Sequence, residues 1–230
     1  MNLNHVAGVA ASVALFLPVL LILASKLFTN AGLAALLFYH LLAGSYSLVD
    51  LNILPLASPY RHAVAALINY LDAPLMLVGF LFFCNEKGKR QLVGLAFTLT
   101  VVYEGIIAFL FGVSEAANGY ILGPGTLLIL ALAVYFFTYY GKQSIVAGKS
   151  LGKTFMLVSI LFSYASFLIP YYLYFILHTP ALDDVFLIYN ISVFIAGAFM
   201  SYGLFFIIKR ARDLKALQLT RKELATFFDT

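Results

Sequence analysis

The chain has 230 residues, 63% hydrophobic and only 10% charged, with a net charge of +4. Soluble domains are about half apolar and about a quarter charged, so this composition excludes a surface solvated mainly by water. Seven spans of about 20 residues would leave no room for a separate soluble domain.

The apolar runs are continuous and do not alternate. Lipid leaves helices or closed barrels as the only spanning structures, and the pattern selects helices. The predicted fold class is therefore all-α: a polytopic integral membrane protein built as a seven-transmembrane-helix bundle. The runs fall at roughly 6–27, 31–53, 62–84, 90–113, 120–140, 154–177 and 184–209. Residues 1–209 form the bundle and 210–230 a basic tail.

Helix 1 opens with MNLNHVAGVAAS. It lacks a basic leader, so it reads as a mature first helix and not as a cleaved signal peptide. His5 reads as an interfacial residue. Helix 2 carries His40, about 13 Å from its inner end. That depth suits a proton relay or a partner for a carboxyl group, and equally a packing hydrogen bond. Asp50 ends helix 2 and His62 opens helix 3. They would rim an outward vestibule, or simply be polar residues at helix ends.

Helix 3 holds Asn69, Asp72 and Pro74, and helix 4 holds Thr100 and Glu104. Charged groups deep in a bilayer are costly and usually face a protein interior or a cavity. Asp72 and Glu104 lie at similar depths, about 15 Å and 14 Å below the outer ends. Adjacent helices usually touch, so the two are expected to share one site, with Asn69 and Thr100 one turn away. Such a pair would carry a proton, hold a cation or bond a ligand. The other reading is a structural network tying the two helices. Gly105, Ala108 and Gly112 form a small-residue stripe that suits close packing.

Helix 5 ends in Tyr135, Tyr139 and Tyr140, which read as an interfacial belt in a chain without tryptophan. Tyr171, Tyr172 and Tyr174 would do the same at the outer end of helix 6. That helix also carries Ser159, Ser163, Ser166 and Pro170. Pro74 and Pro170 are expected to kink their helices and free carbonyls toward a pocket. Helix 7 carries Tyr189, Asn190, Ser192, Gly197 and Ser201, with Gly197 and Ser201 on a packing face, and His178 precedes it as an end residue. In the tail, Leu214, Leu217, Leu224 and Phe228 share a face among basic residues. This is an amphipathic helix on anionic lipids, a solvated tail, or a helix that passes movement to a partner protein.

LLILA recurs at Leu20–Ala24 and Leu127–Ala131, each shortly after a proline, and KLFTNAG from Lys26 echoes YFFTYYG from Tyr135. Both copies run in one direction, so they are either a parallel repeat of three helices, one linker and three helices or chance matches between apolar low-complexity helices.

Lysine and arginine set the orientation. Lys26, Lys87, Lys89, Arg90, Lys142, Lys149, Lys153 and the residues from Lys209 fall on one side. Glu115, Asp183 and Asp184 fall on the other, where Arg61 is the only basic side chain of the short loops. The basic side is therefore expected to be cytoplasmic, with the N-terminus outside and the C-terminus inside. A bacterial-type inner membrane fits this layout.

Several chemistries lack their motifs. There is no Walker loop, GxGxxG or HExxH pattern, and one cysteine gives neither a disulfide nor a metal spacing. No metal, no cofactor and no nucleic acid is expected; the partners are the bilayer and a small-molecule ligand. No nucleophile elbow supports a serine hydrolase. Seven helices in about this length is also the outline of microbial rhodopsins, but retinal needs a lysine within helix 7. The stretch Val185 to Ile208 has none.

Three functions remain. The first is a small transporter or channel with an acidic midplane site between helices 3 and 4. The second is a receptor for a small or lipidic ligand. The third is an intramembrane lipid-modifying enzyme. The candidate site residues are Asp72, Glu104, Asn69, Thr100, His40, Asp50, His62 and Asn190.

Overall fold

The computed structural model describes residues 3–112, 114–147, 150–179 and 183–228. Among them are seven helices long and apolar enough to cross a membrane. They are α1 Leu3–Ala24, α2 Ala31–Asp50, α3 Ser58–Phe80, α4 Lys87–Phe111, α5 Glu115–Ala147, α6 Leu151–Tyr171 and α7 Asp183–Phe228. Among the described residues the protein is all-helical, with the span lengths and hydropathy of a multi-pass membrane protein.

Local chemistry sets several ends. Asn30 caps α2, its side chain accepting from the Gly32 and Leu33 amides at 3.0 and 3.3 Å. Such a cap satisfies donors that the first turn leaves unpaired. Pro170 sits near the end of α6, and two residues later the helix widens into a π-turn, Tyr172–Ile176. Pro74 lies inside α3, which continues unbroken to Phe80.

Six helices form a closed ring. α1 packs on α2, α2 on α3, α3 on α5, α5 on α6, α6 on α7, and α7 returns to α1. α4 stands outside this ring against α3 and α5.

The tightest seams are made where side chains are absent. A Cβ on Gly197 would lie 2.7 Å from the Ala14 carbonyl oxygen, so α7 rests directly on the α1 backbone. A Cβ on Gly203 would lie 2.7 Å from the Gly152 carbonyl oxygen across the α6–α7 seam. Without a hydrophobic drive between helices in lipid, such close approach supplies the packing energy. Gly197 thus packs as expected. The Gly105–Ala108–Gly112 stripe does not: neither glycine has a heavy atom of another element within 4 Å of its Cβ direction. The reason is the outlying place of α4.

One end of the bundle holds the start of α1. The other, the basic end, is closed by aromatic packing. Phe80, Phe83, Phe136 and Tyr140 are each no more than 1% exposed, and the Phe80 and Phe136 rings stack at 5.6 Å. Tyr140 is therefore a core residue and not part of an interfacial belt. Its hydroxyl donates to the Phe83 carbonyl. Tyr135, by contrast, is exposed.

Two lysines expected in solvated loops are instead built into this closure. Lys153 donates to the Phe82 carbonyl at 3.0 Å, to Asn85 Oδ1 at 3.1 Å and to the Tyr140 hydroxyl at 3.2 Å. It thereby caps the end of the third span, whose last carbonyls favour a cation. Lys89 is buried, with its ammonium 3.0 Å from the Tyr139 ring centroid and 2.8 Å from Glu86 Oε1. Tyr139 donates to the same Glu86 oxygen at 3.1 Å.

The hydrogen bond from Lys89, and after it the one from Tyr139, hold the Glu86 carboxyl below its ordinary value of 4.5. A carboxyl group depressed in the folded state stabilises above the unfolded pKa and loses that contribution as pH falls through the folded one. Melting temperature should therefore fall less for Glu86→Gln than for wild type as pH drops below 4.5. Parallel melts across that range check this.

Cys84 is also buried here, its Sγ 3.4 Å from the Phe80 carbonyl oxygen. Burial pushes its thiol pKa up, and the thiolate is the reactive form. Maleimide should modify Cys84 slowly in the folded protein and rapidly after denaturation. Comparable rates would contradict this packing.

α7 continues without a break through Lys209 to Phe228, 46 residues in all. At about 1.5 Å per residue that is about 69 Å, against about 30 Å of hydrocarbon. Residues 209–221 are exposed throughout. The tail is thus a direct extension of α7. The side chains of Leu224 and Phe228, and those of Glu115, Asp183 and Asp184, lie outside the described side chains, and Lys149 lies outside the described residues.

Candidate functional site

A cavity of about 420 Å³ lies inside the six-helix ring. Its floor includes Met76 and Met200, each 2% exposed, next to the aromatic closure of the basic end. Its rim reaches Asp50, the last residue of α2, and Phe186, near the start of α7. Both rim residues are exposed. The cavity is a cup that opens toward the end where α1 begins. α1, α2 and α3 line one part and α5, α6 and α7 the rest.

Asp72 lies low in this cup. It is fourteen residues into α3, about 21 Å from the start of that helix, because the helix begins at Ser58 and not near 62. Tyr164 on α6 donates its hydroxyl hydrogen to Asp72 Oδ2 at 2.9 Å. Tyr39 on α2 lines the cavity beside Asp72. Three helices therefore converge on one acid. Tyr189 on α7 lines the same space, with its ring 5.8 Å from that of Phe167.

No lysine or arginine lines the cavity among the described residues. A charge at this depth is expensive unless something compensates it. The hydroxyl of Tyr164 supplies part of that compensation.

His40 is 5% exposed and lines the cavity beside Tyr39, whose ring it meets edge-on at 5.2 Å. Neither of its ring nitrogens has a hydrogen-bond partner among the described residues. Buried polar atoms are rarely left so. Asn69 and Asn190 line the cavity as well. Asp50 stands at the rim, paired with Arg61 at 2.7 Å. Of the two residues expected to rim a vestibule, Asp50 lines the cavity. His62 is exposed and does not line it.

Glu104 and Thr100 are placed elsewhere. Both are buried on α4, but neither lines the cavity. Glu104 Oε1 has no hydrogen-bond partner among the described residues. The cavity thus joins Asp72 with Asn69, His40, Asp50 and Asn190, and leaves Glu104 outside. The physical reason is again α4, which touches the ring from outside it.

The sequence reading also passed over Tyr39 and Tyr164. A signal for them was present. Each is a tyrosine in the middle of an apolar run, where its hydroxyl must find a partner. Tyr164 is 4% exposed.

Ser163, His40 and Asp72 all line the cavity, a trio that would suit acyl transfer. No hydrogen bond joins His40 to either of the others, so the geometry is not that of a nucleophile held by its base.

No family model, no curated protein and no solved structure matches this chain. The functional reading therefore rests on the cavity.

Proposed function

We propose that the protein is a small membrane transporter whose substrate site is the cup above Asp72. The observation that carries this reading is a carboxyl group low in a cavity that opens on one face, with no basic side chain among the described residues to neutralise it. Such a site favours a cationic solute or a proton. The placement supports transport. In transporters built from repeats, the site lies near the midplane between the two halves. Here the cavity separates α1–α3 from α5–α7. The closed basic end argues for a carrier caught facing one way and against an open channel. The basic end is assigned to the cytoplasm, and the N-terminus to the outside, on the loop charges. A bacterial-type inner membrane remains part of the same proposal.

A receptor reading has one observation in its favour. α7 contributes Phe186, Tyr189, Asn190 and further residues to the cavity and runs unbroken into the basic tail. One rigid element thus links cavity and tail, and the tail would meet anionic lipid or a partner protein.

Flux in proteoliposomes decides between them. A transporter should move protons or labelled solute, and Asp72→Asn should abolish that flux. Absence of flux across a broad solute panel, with ligand binding intact, would overturn the transport reading in favour of the receptor.

A further inference from the structure

The cavity chemistry narrows the solute further. The counter-charge that Asp72 lacks has to come from what enters. A hard metal cation such as calcium takes six or more oxygen ligands, and no three His, Cys, Asp or Glu side chains gather among the described residues. What surrounds the carboxyl group is aromatic. Tyr164 bonds to it, Tyr39 lines the cavity beside it, and Tyr189 with Phe167 completes the wall. Aromatic faces attract cations, and cages of them recognise quaternary ammonium groups. Acid and rings together select a cation that is also large and weakly hydrated.

His40 adds a second constraint on the ligand. It is nine-tenths buried, it lines the same cavity, and both its ring nitrogens lack a hydrogen-bond partner among the described residues. A neutral imidazole offers one donor and one acceptor. A ligand hydroxyl, which is also both donor and acceptor, matches either nitrogen.

We propose that the cavity binds an organic ammonium ion bearing a hydroxyl group, with the ammonium at Asp72 among the rings of Tyr39, Tyr164 and Tyr189 and the hydroxyl on His40. This rests on the transport site described above and names its substrate class.

Calorimetry on the full chain in lipid nanodiscs tests it. The probes are choline, tetramethylammonium and the neutral analogue of choline in which carbon replaces nitrogen. Choline should bind saturably. Tetramethylammonium should bind about 5–10-fold more weakly, for want of the hydroxyl contact. The neutral analogue should bind at least about 30-fold more weakly, and so should choline to Asp72→Asn. His40→Ala should bring choline down to the level of tetramethylammonium. Asp72→Glu, which keeps the charge, should still prefer choline to its neutral analogue even if Asp72→Asn fails to fold. No saturable binding of either ammonium ion overturns the inference. So does equal binding of the neutral analogue, or full choline affinity in Asp72→Asn or His40→Ala. Ammonium binding without flux would leave this inference standing and overturn transport. Flux of a neutral solute without ammonium binding would do the reverse.

Discussion

Asp72→Asn should raise the melting temperature while it abolishes solute uptake. The two effects have one cause. A carboxyl group within the hydrocarbon depth costs about 2.5–3.5 kcal/mol on insertion scales, and no basic side chain lines its cavity among the described residues. Asparagine keeps a carbonyl oxygen to accept from Tyr164, which now donates at 2.9 Å, and gives up the charge. A gain of about 1 kcal/mol is expected, of the size commonly found when a functional strain is relieved. That corresponds to about 2–4 °C for a chain of this length. Tyr164→Phe should have the opposite sign. It takes a donor from the acid and leaves the acid in place, which costs about 1–3 kcal/mol. Thermal melts of the two variants beside wild type check both signs. If Asp72→Asn instead destabilised by several kcal/mol, Asp72 would be part of the scaffold and not a site held ready for a solute.

Gly197→Val should be among the most destabilising single changes. The Cβ would meet Ala14 backbone oxygen at 2.7 Å and backbone carbon at 2.9 Å. Neither neighbour is a side chain that can swing away. Overpacking of this kind costs about 1–3 kcal/mol, and the backbone contact puts this position at the upper end. Gly197 also lines the cavity, so prising α7 from α1 should weaken ligand binding along with stability. Gly105→Val is the matched control. Nothing lies within 4 Å of its Cβ direction, so its melting temperature should stay close to wild type. Equal losses at both positions would contradict the ring as described.

Much of the fold was legible in the sequence because hydropathy reports span length directly. All seven runs correspond to helices, with α5 and α7 longer than the runs suggested. Those extensions carry polar residues. A hydropathy edge marks where a chain leaves apolar surroundings, whereas the backbone stays helical until a cap or a turn stops it. The site was only partly legible. Asp72, Asn69, His40 and Asn190 stood out as polar residues within apolar runs, and all four line the cavity, although Asp72 lies deeper than its run suggested because α3 begins at Ser58. Direction around the helix axis and the choice of neighbour do not follow from residue count. That is why Glu104 was expected beside Asp72, and why Tyr39 and Tyr164 were passed over. The buried lysines show the same limit. Lys89 and Lys153 read as topology signals, yet their neighbours Tyr139 and Tyr140 draw them into the closure of the basic end.

The most direct test of transport through this cavity is accessibility of Ser163→Cys, in a Cys84→Ser background, to a membrane-impermeant thiol reagent added to one face at a time. Ser163 lines the cup beside Tyr164. A carrier must expose this position to both faces in turn. Rapid modification is expected from the face where the chain begins, and slower modification from the basic face that rises when transported solute is present. Modification from the first face alone, whatever the solute, would contradict transport.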